Sequence, residues 1–472
     1  VLEGFGITVL QEIRAAMEKA KQQSSHKAPG PKGLAALGLV AAFKKNAAET
    51  MLALQRRHGD MVQFSFAGRF NSLIAHPDMI QEVLIDKAAL FEKGKVYRAY
   101  EPLIGQGLLT SDGAVWEKTR RIATPSFKGP RLRAFTRIAA RASQAAAAQW
   151  AREAKGGWLD LAVVPEMNRL TFEIIATALF SENLSQETAR LFHALDGANK
   201  EGTARIRSAV KPPFGWPTPA NRRYRSAVAV LDEVVAVMIE RRLHAATSPE
   251  GPPDDYFTAL VAAMTAGEID RKMVRDQVLT FLFAGHETTS NGLSWALYLL
   301  AGHPQVADKA AREVAQTLRA RPPEQDDLAK LPYLRAIFEE SMRLYPPIYA
   351  LQRRALADVQ VGGFAVPAGT GVTISPYVTH RHPAFWDDPA GFNPERFLGA
   401  AAQSRPRLAY LPFGAGPRTC IGANFAMAEA VVLLVAVLQR FKLARWDDQP
   451  VATRPLISLG PAGPLPVRLL PR

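Results

Sequence analysis

The chain has 472 residues, 58 of them Lys or Arg and 44 Asp or Glu, giving a formal net charge of +14, and it holds one cysteine. A single thiol rules out an intrachain disulfide framework and points to a reducing, cytoplasmic setting. The basic excess fits an acidic protein partner or a merely solvated surface; the arginines are spread through amphipathic segments without interleaved aromatics, which argues against nucleic acid.

The opening residues VLEGFGITVLQEIRAAMEKAKQQSSHK are charged and lack the basic start, apolar core and small-residue cleavage site of a secretory signal. Residues 1–30 read as an N-terminal extension or a single helix, closed by the Pro/Gly hinge within Ala28–Lys32, and residues 31–472 as one domain. Helical spacing over Lys44–Arg57 gives way to the alternating segments Met61–Phe66 and Asn71–Ala75, a hairpin or sheet edge. Longer helices are predicted over Gly113–Phe127, Arg131–Trp150, Met167–Phe180, Tyr224–Ala246, Arg271–Leu300, Pro304–Arg319, Leu331–Leu344 and Ile421–Phe441. Between the last two, the Gly/Pro-rich stretch Val359–Ser375 predicts a second small sheet. No run of about eighteen apolar residues occurs, so no integral membrane span is expected. The fold class is mainly α with small β-sheets.

Cys420 lies within the segment Phe413–Gly422 (FGAGPRTCIG), just before an apolar helical stretch. A solitary thiol framed by turn glycines and an arginine reads as a positioned metal ligand; the competing reading is an inert buried thiol. Earlier in the chain, Phe281–Thr289 (FLFAGHETT) places a small pair, Ala284 and Gly285, beside an acid and an alcohol, Glu287 and Thr288. Alone, this reads equally well as a polar interruption of a core helix whose Thr hydroxyls bond the preceding turn. Trp116 and Arg120 share one helical face, as do Glu340 and Arg343, and Arg396 follows in a turn-rich segment. His380 and His382 lack the further ligands that a zinc site needs, which leaves them packing and hydrogen-bonding roles.

Taken in this order, the motifs resemble those of the cytochrome P450 family, and the resemblance extends over most of the chain from Gly113 onward. It implies a single triangular prism-like helical domain that binds haem b with Cys420 as the axial thiolate, shielded by Phe413, with Gly416 and Gly422 permitting tight turns and Gly414 among the cofactor-binding residues. Trp116, Arg120, Arg418 and Arg353 would meet the haem propionates, with Arg354 one residue of register away from Arg353. On the opposite side, Ala284 and Gly285 would open a helical turn for dioxygen, Thr288 would donate a hydrogen bond to it and Glu287 would relay protons. His286 has no ligand role in the resemblance. Glu340, Arg343 and Arg396 would form a supporting network under the cysteine loop.

The implied reaction is insertion of one oxygen atom from O2 into an apolar organic molecule, such as a fatty acid, terpenoid or steroid, by hydroxylation or epoxidation. Electrons would come ultimately from NAD(P)H through a separate ferredoxin or flavodoxin and its reductase, docked on a basic surface including Lys118, Arg121 and Lys128. A monomer is expected. The substrate pocket is sought in Phe91, Tyr97, Tyr100, Leu103, Ile104 and Leu108, in Phe283, and in Ala350 and Leu351, with a second cover around Lys211–Ala220. Competing readings are a peroxide-using or oxidative-coupling enzyme with the same haem site and, from another class, a haem gas sensor or electron carrier.

Overall fold

The computed structural model describes residues 27–31, 34–66, 69–94, 96–181, 185–207 and 212–472; the expectation for residues 1–30 falls almost wholly outside them. The longer helices are α1 (Leu34–Lys45), α2 (Ala47–His58), α3 (Gly113–Ala123), α4 (Pro130–Glu153), α5 (Val163–Phe180), α6 (Ser185–Arg207), α7 (Pro219–Ala245), α8 (Tyr256–Thr265), α9 (Arg271–Gly302), α10 (Pro304–Leu318), α11 (Pro332–Leu344) and α12 (Ala423–Arg440). The single helix predicted over Lys44–Arg57 divides at Asn46, whose side chain accepts from the Glu49 N–H and so starts α2 afresh. Helix α6 was absent from the sequence reading. Its buried stripe of Leu191, Ala194, Leu195 and Ala198 has helical spacing, but Gly197 and Gly202 weaken the local propensity.

Helix α9 is the axis of the molecule. Asp270 caps it by accepting from the Met273 N–H, and α5 and α11 pack along it. It is buried nearly all round, with polar residues such as Asp276, Gln277, His286 and Asn291 enclosed among the apolar ones. Helix α12 packs on α4; among the described residues it alone is long and apolar enough to cross a membrane, and 67% of it is buried inside the fold.

The strands are β1 (Met61–Phe66), β2 (Arg69–Ile74), β3 (Phe91–Lys93), β4 (Leu159–Leu161), β5 (Leu351–Ala355), β6 (Val359–Val361), β7 (Phe364–Val366), β8 (Gly371–Ile374), β9 (Phe441–Arg445), β10 (Thr453–Pro455), β11 (Leu459–Pro461) and β12 (Val467–Pro471). The stretch predicted as a second sheet is split. Only β6 and β7 pair with each other, whereas β8 runs parallel to β2 inside a five-stranded sheet of order β1-β2-β8-β5-β3. Val372 and Ile374 of β8 are fully buried, which a central position explains and an exposed hairpin would not. This sheet sets Lys93 of β3 directly opposite Arg353 of β5.

Candidate functional site

A cavity of about 300 Å³ lies between α9 and the segment that leads into α12, and Cys420 opens onto it. The loop that carries the cysteine is wound tightly: the Cys420 N–H donates to the Phe413 carbonyl at 2.9 Å, and Thr419 Oγ1 donates to the Gly416 carbonyl at 2.7 Å. Gly416 has φ +71°, and a Cβ there would stand 1.9 Å from the Leu84 carbonyl oxygen, so no other residue fits. Burial pushes the Cys420 thiol pKa up, while the Gly422 N–H bonded to the sulfur and the Arg120 guanidinium nearby pull it down. These last two are the groups that a thiolate ligand requires. Phe413, Gly414, Ile421 and Phe425 line the cavity around the sulfur.

The opposite wall is α9. From Asp276 to Ala301 every residue of the helix is buried except Ala284, Gly285, Glu287 and Thr288, and these four line the cavity. The helix runs unbroken through them, so the expected opening of a turn at Ala284 and Gly285 is not seen. A Cβ on Gly285 would stand 3.0 Å from Ile175 Cγ1, so the glycine serves the close approach of α5. Thr288 Oγ1 donates to the Ala284 carbonyl at 2.7 Å, an ordinary bond to the preceding turn. Glu287 accepts from Ser458 Oγ at 2.6 Å and from Asn199 Nδ2 at 3.0 Å. His286 turns away from the cavity, with Nδ1 2.6 Å from the Leu282 carbonyl and its ring edge-on to Phe172.

One edge of the cavity is cationic. Lys93, Arg353 and Arg418 all line it. Of the two adjacent arginines, Arg353 lines the cavity and Arg354 is bound to Glu92. Arg418 donates to the Ser111 carbonyl at 2.8 Å and to Asp112, and its guanidinium lies over the Trp116 ring at 4.1 Å. Burial, Asp112 notwithstanding, brings the Arg418 pKa down to about 10, with Arg353 and Arg120 adding to the fall. Lys93, which sequence reasoning missed, is pushed down to about 7 by burial and then by Arg418 and Arg353. Like charges set directly opposite on paired strands repel each other. Three cations against one carboxylate at the rim of an apolar slot therefore fit a flat ligand that carries two carboxylates, as haem does.

Under the cysteine loop, Glu340 and Arg343 are fully buried and paired, Nε to Oε2 at 2.6 Å and Nη2 to Oε1 at 2.8 Å. Arg343 also donates to the carbonyls of His380, Pro389 and Gly391, while Arg396 donates to Glu340 and to the Asp387 and Asp388 carbonyls. His380 accepts the Leu411 N–H at 2.9 Å and His382 meets Asp60 at 2.8 Å, so both serve hydrogen bonding.

The pocket candidates divide. Tyr97, Phe283 and Leu351 line the cavity, joined by Leu109, Ile175, Pro347, Ile348 and Ile457, which the sequence did not single out. Tyr100 stands behind the wall, 5.9 Å ring to ring from Phe283. Leu103, Ile104 and Leu108 face the helical core, Phe91 the core beneath the five-stranded sheet, and Ala350 the cluster around α2. Their apolar character serves packing. Pro212–Ala220 contributes nothing to the wall either: Phe214 packs on Tyr224 at 5.2 Å and Trp216 is exposed; Lys211 lies outside the described residues. Glu429 of α12 lines the cavity, buried and with Oε1 lacking a hydrogen-bond partner, and burial pushes its carboxyl well up. Lys118 and Arg121 are both bonded to Glu268, and Lys128 is exposed.

A thiol on one wall, an acid and an alcohol on the other, and cations at the rim thus face one cavity. The sequence profile of cytochrome P450 matches residues 28–463, and the chain belongs to that family. It is 33% identical over 468 residues to cyclooctatin synthase of Streptomyces melanosporofaciens, covering 97% of this chain and 98% of that protein. Cyclooctat-9-en-7-ol 5-monooxygenase of the same organism is 34% identical over 400 residues, 83% of this chain and 84% of its own. Cytochrome P450 4F3 of Rattus norvegicus is 32% identical, covering 98% and 93%. Among solved structures, the heme domain of a cytochrome P450DA mutant superposes with a TM-score of 0.82 at 27% identity, covering 95% of this chain and 98% of that one. The protein is a haem- and O2-dependent monooxygenase of apolar substrates, dependent on redox partners for its electrons.

Proposed function

We propose that the cavity would hold haem b through the Cys420 sulfur and that Lys93, Arg353 and Arg418 would meet its propionates, with Trp116 stacked behind Arg418 and Arg120 beside the sulfur. When bound, the haem supplies the iron at which O2 is reduced and from which one oxygen atom passes to substrate. The chain's own residues do the rest. The Gly422 N–H steadies the negative charge on the sulfur, and Phe413 keeps water from it. Thr288 offers a hydroxyl to the oxygen side by releasing its bond to the Ala284 carbonyl, and Glu287 moves protons toward it. That pair favours O2 reduction over direct use of peroxide. Leu109, Ile175, Phe283, Ile348, Leu351 and Ile457 then exclude water and hold an apolar skeleton of terpenoid, fatty-acid or steroid type. A ferredoxin or flavodoxin with its reductase delivers the electrons to a cytoplasmic, monomeric protein.

The observation that carries this reading is the alignment of Ala284, Gly285, Glu287 and Thr288, the residues of α9 between Asp276 and Ala301 that are not buried, on one cavity with Cys420. The test is the difference spectrum of the reduced, carbon-monoxide-bound protein, with and without apolar ligands. A thiolate-type band, shifted to a neutral-ligand type by Cys420→Ser, is expected, with spin shifts on adding substrate-like molecules. Haem binding without that band would refute ligation by Cys420.

A further inference from the structure

Glu287 is held by more than its own helix. Glu287, Asn291 and Trp295 lie four residues apart on one face of α9, and all three engage the turn that opens β11. Trp295 Nε1 donates to the Leu459 carbonyl at 3.2 Å, Asn291 Nδ2 donates to Ser458 Oγ at 2.8 Å, and Ser458 Oγ donates to Glu287 Oε1 at 2.6 Å. From the other side the Leu459 N–H donates to the Pro347 carbonyl at 2.8 Å. At Gly460 a Cβ would stand 3.1 Å from Asn291 Oδ1, so a larger residue would press on the asparagine that holds Ser458. The second carboxylate oxygen accepts from Asn199 of α6.

We propose that Ser458 is a positioning residue for proton delivery, fixing the Glu287 carboxylate at the cavity wall beside Thr288. The serine hydroxyl has one proton and two acceptor lone pairs. The Asn291 amide fills a lone pair, so the proton is left for Glu287, and Asn291 thereby sets the direction in which it points, while Trp295 holds the adjoining Leu459 carbonyl. A carboxylate gripped at one oxygen from the β11 turn and at the other from α6 loses a charge-assisted hydrogen bond if it rotates. Three segments far apart in the chain thus converge on the acid of the oxygen side. Ser458 itself lines the cavity, so substrate packed against it bears on the same contact.

This inference rests on the oxygen-side reading of Glu287, and the test separates the two. Ser458→Ala, Ser458→Thr and Glu287→Gln are compared with the parent at equal thermal midpoints. In haem-free protein, the infrared band of the Glu287 carboxylate is isolated as the difference from Glu287→Gln. In haem-loaded protein without substrate, electrons come from NADPH through a ferredoxin and its reductase, and the share of consumed O2 released as peroxide, above that given by the same donors with haem-free protein, is measured with its solvent deuterium isotope effect. Ser458→Ala is expected to shift the band and raise the peroxide share about threefold or more, with Ser458→Thr returning both toward the parent. If Glu287→Gln raises the peroxide share while Ser458→Ala changes neither readout, the positioning role is overturned. If Glu287→Gln changes nothing, the relay reading of Glu287 fails and the inference falls with it.

Discussion

Lys93 is a cation among cations. Strand pairing sets it opposite Arg353 and Arg418 lies close, while Asp112, the Leu108 and Leu109 carbonyls to which the ammonium donates, and the Tyr97 ring 4.9 Å away favour its charge. Burial and the two guanidiniums bring its pKa to about 7, against 10.5 for an unperturbed lysine. The unfolded chain therefore holds the extra proton between these values, and the haem-free protein gains stability as pH rises across that window. A ligand that brings two carboxylates to the same edge favours the charged lysine, so Lys93 adds proton uptake to haem binding, against the proton that Cys420 gives up on ligation. Lys93→Met keeps the aliphatic stem and removes only the first of these. With a free pKa of about 7 and the bound lysine charged throughout, the affinity of the parent relative to Lys93→Met should fall roughly 16-fold between about pH 7 and about pH 8.5. Quenching of tryptophan fluorescence on titrating haem into haem-free protein measures it, with Trp116 at the cationic edge as a near reporter. A Lys93→Met protein with the parental pH slope would refute the reasoning.

The other expectations bear on the frame around the cavity. Glu340→Ala leaves the Arg343 guanidinium fully buried without its carboxylate and should cost about 3–5 kcal/mol, read in the denaturant midpoint; an unchanged midpoint would show the pair to be dispensable. Arg353→Ala should loosen haem, seen as faster transfer to apomyoglobin, whereas Arg354→Ala removes a half-exposed pair with Glu92 worth about 1 kcal/mol or less and should leave haem retention unchanged. Gly416→Ala forces a left-handed φ on alanine and drives its Cβ into the Leu84 carbonyl, so the thiolate-type carbon-monoxide band should weaken in favour of the neutral-ligand form. Thr288→Ala should divert electrons from product to peroxide, and full coupling in that variant would remove its donor role.

Where chemistry is written in residue type and local spacing, the sequence was legible. Cys420 among its glycines, Glu340 with Arg343 three positions on, and the Ala284–Thr288 stretch each sit on one short element, and each element lies where the spacing places it. Contacts made between distant segments left no such trace. Lys93 reads as one more surface lysine until β3 pairs with β5, and Ser458 as one more turn serine until β11 docks on α9. The pocket candidates that lie outside the cavity do so for the complementary reason. Leu103, Ile104 and Leu108 have the same apolar character whether they face a substrate or the core, and only the course of the backbone decides which.

The exposure pattern along α9 shows how the fold makes room for chemistry without breaking its own axis. A helix buried nearly all round normally offers no place for a charged side chain, because an ionised carboxylate inside the core is costly unless hydrogen-bonded. Here the four residues that escape burial between Asp276 and Ala301 fall at Ala284, Gly285, Glu287 and Thr288, two neighbouring pairs within a little over one turn. Small side chains in the first pair lower the wall of the cavity, and the acid and alcohol of the second pair occupy the space thus opened. Helix geometry needs no distortion for this, since the backbone bonds continue through the segment and Thr288 adds one of its own to Ala284. The cost of placing Glu287 at the edge of the core is offset by Ser458 and Asn199, donors brought from 171 and 88 residues away in the chain. Replacing Ala284 by a bulkier residue would close the opening while leaving Cys420 and the cationic edge in place. Such a variant should bind haem normally yet lose the spin shift on adding apolar ligands; a retained shift would show that the opening at Ala284 does not govern access.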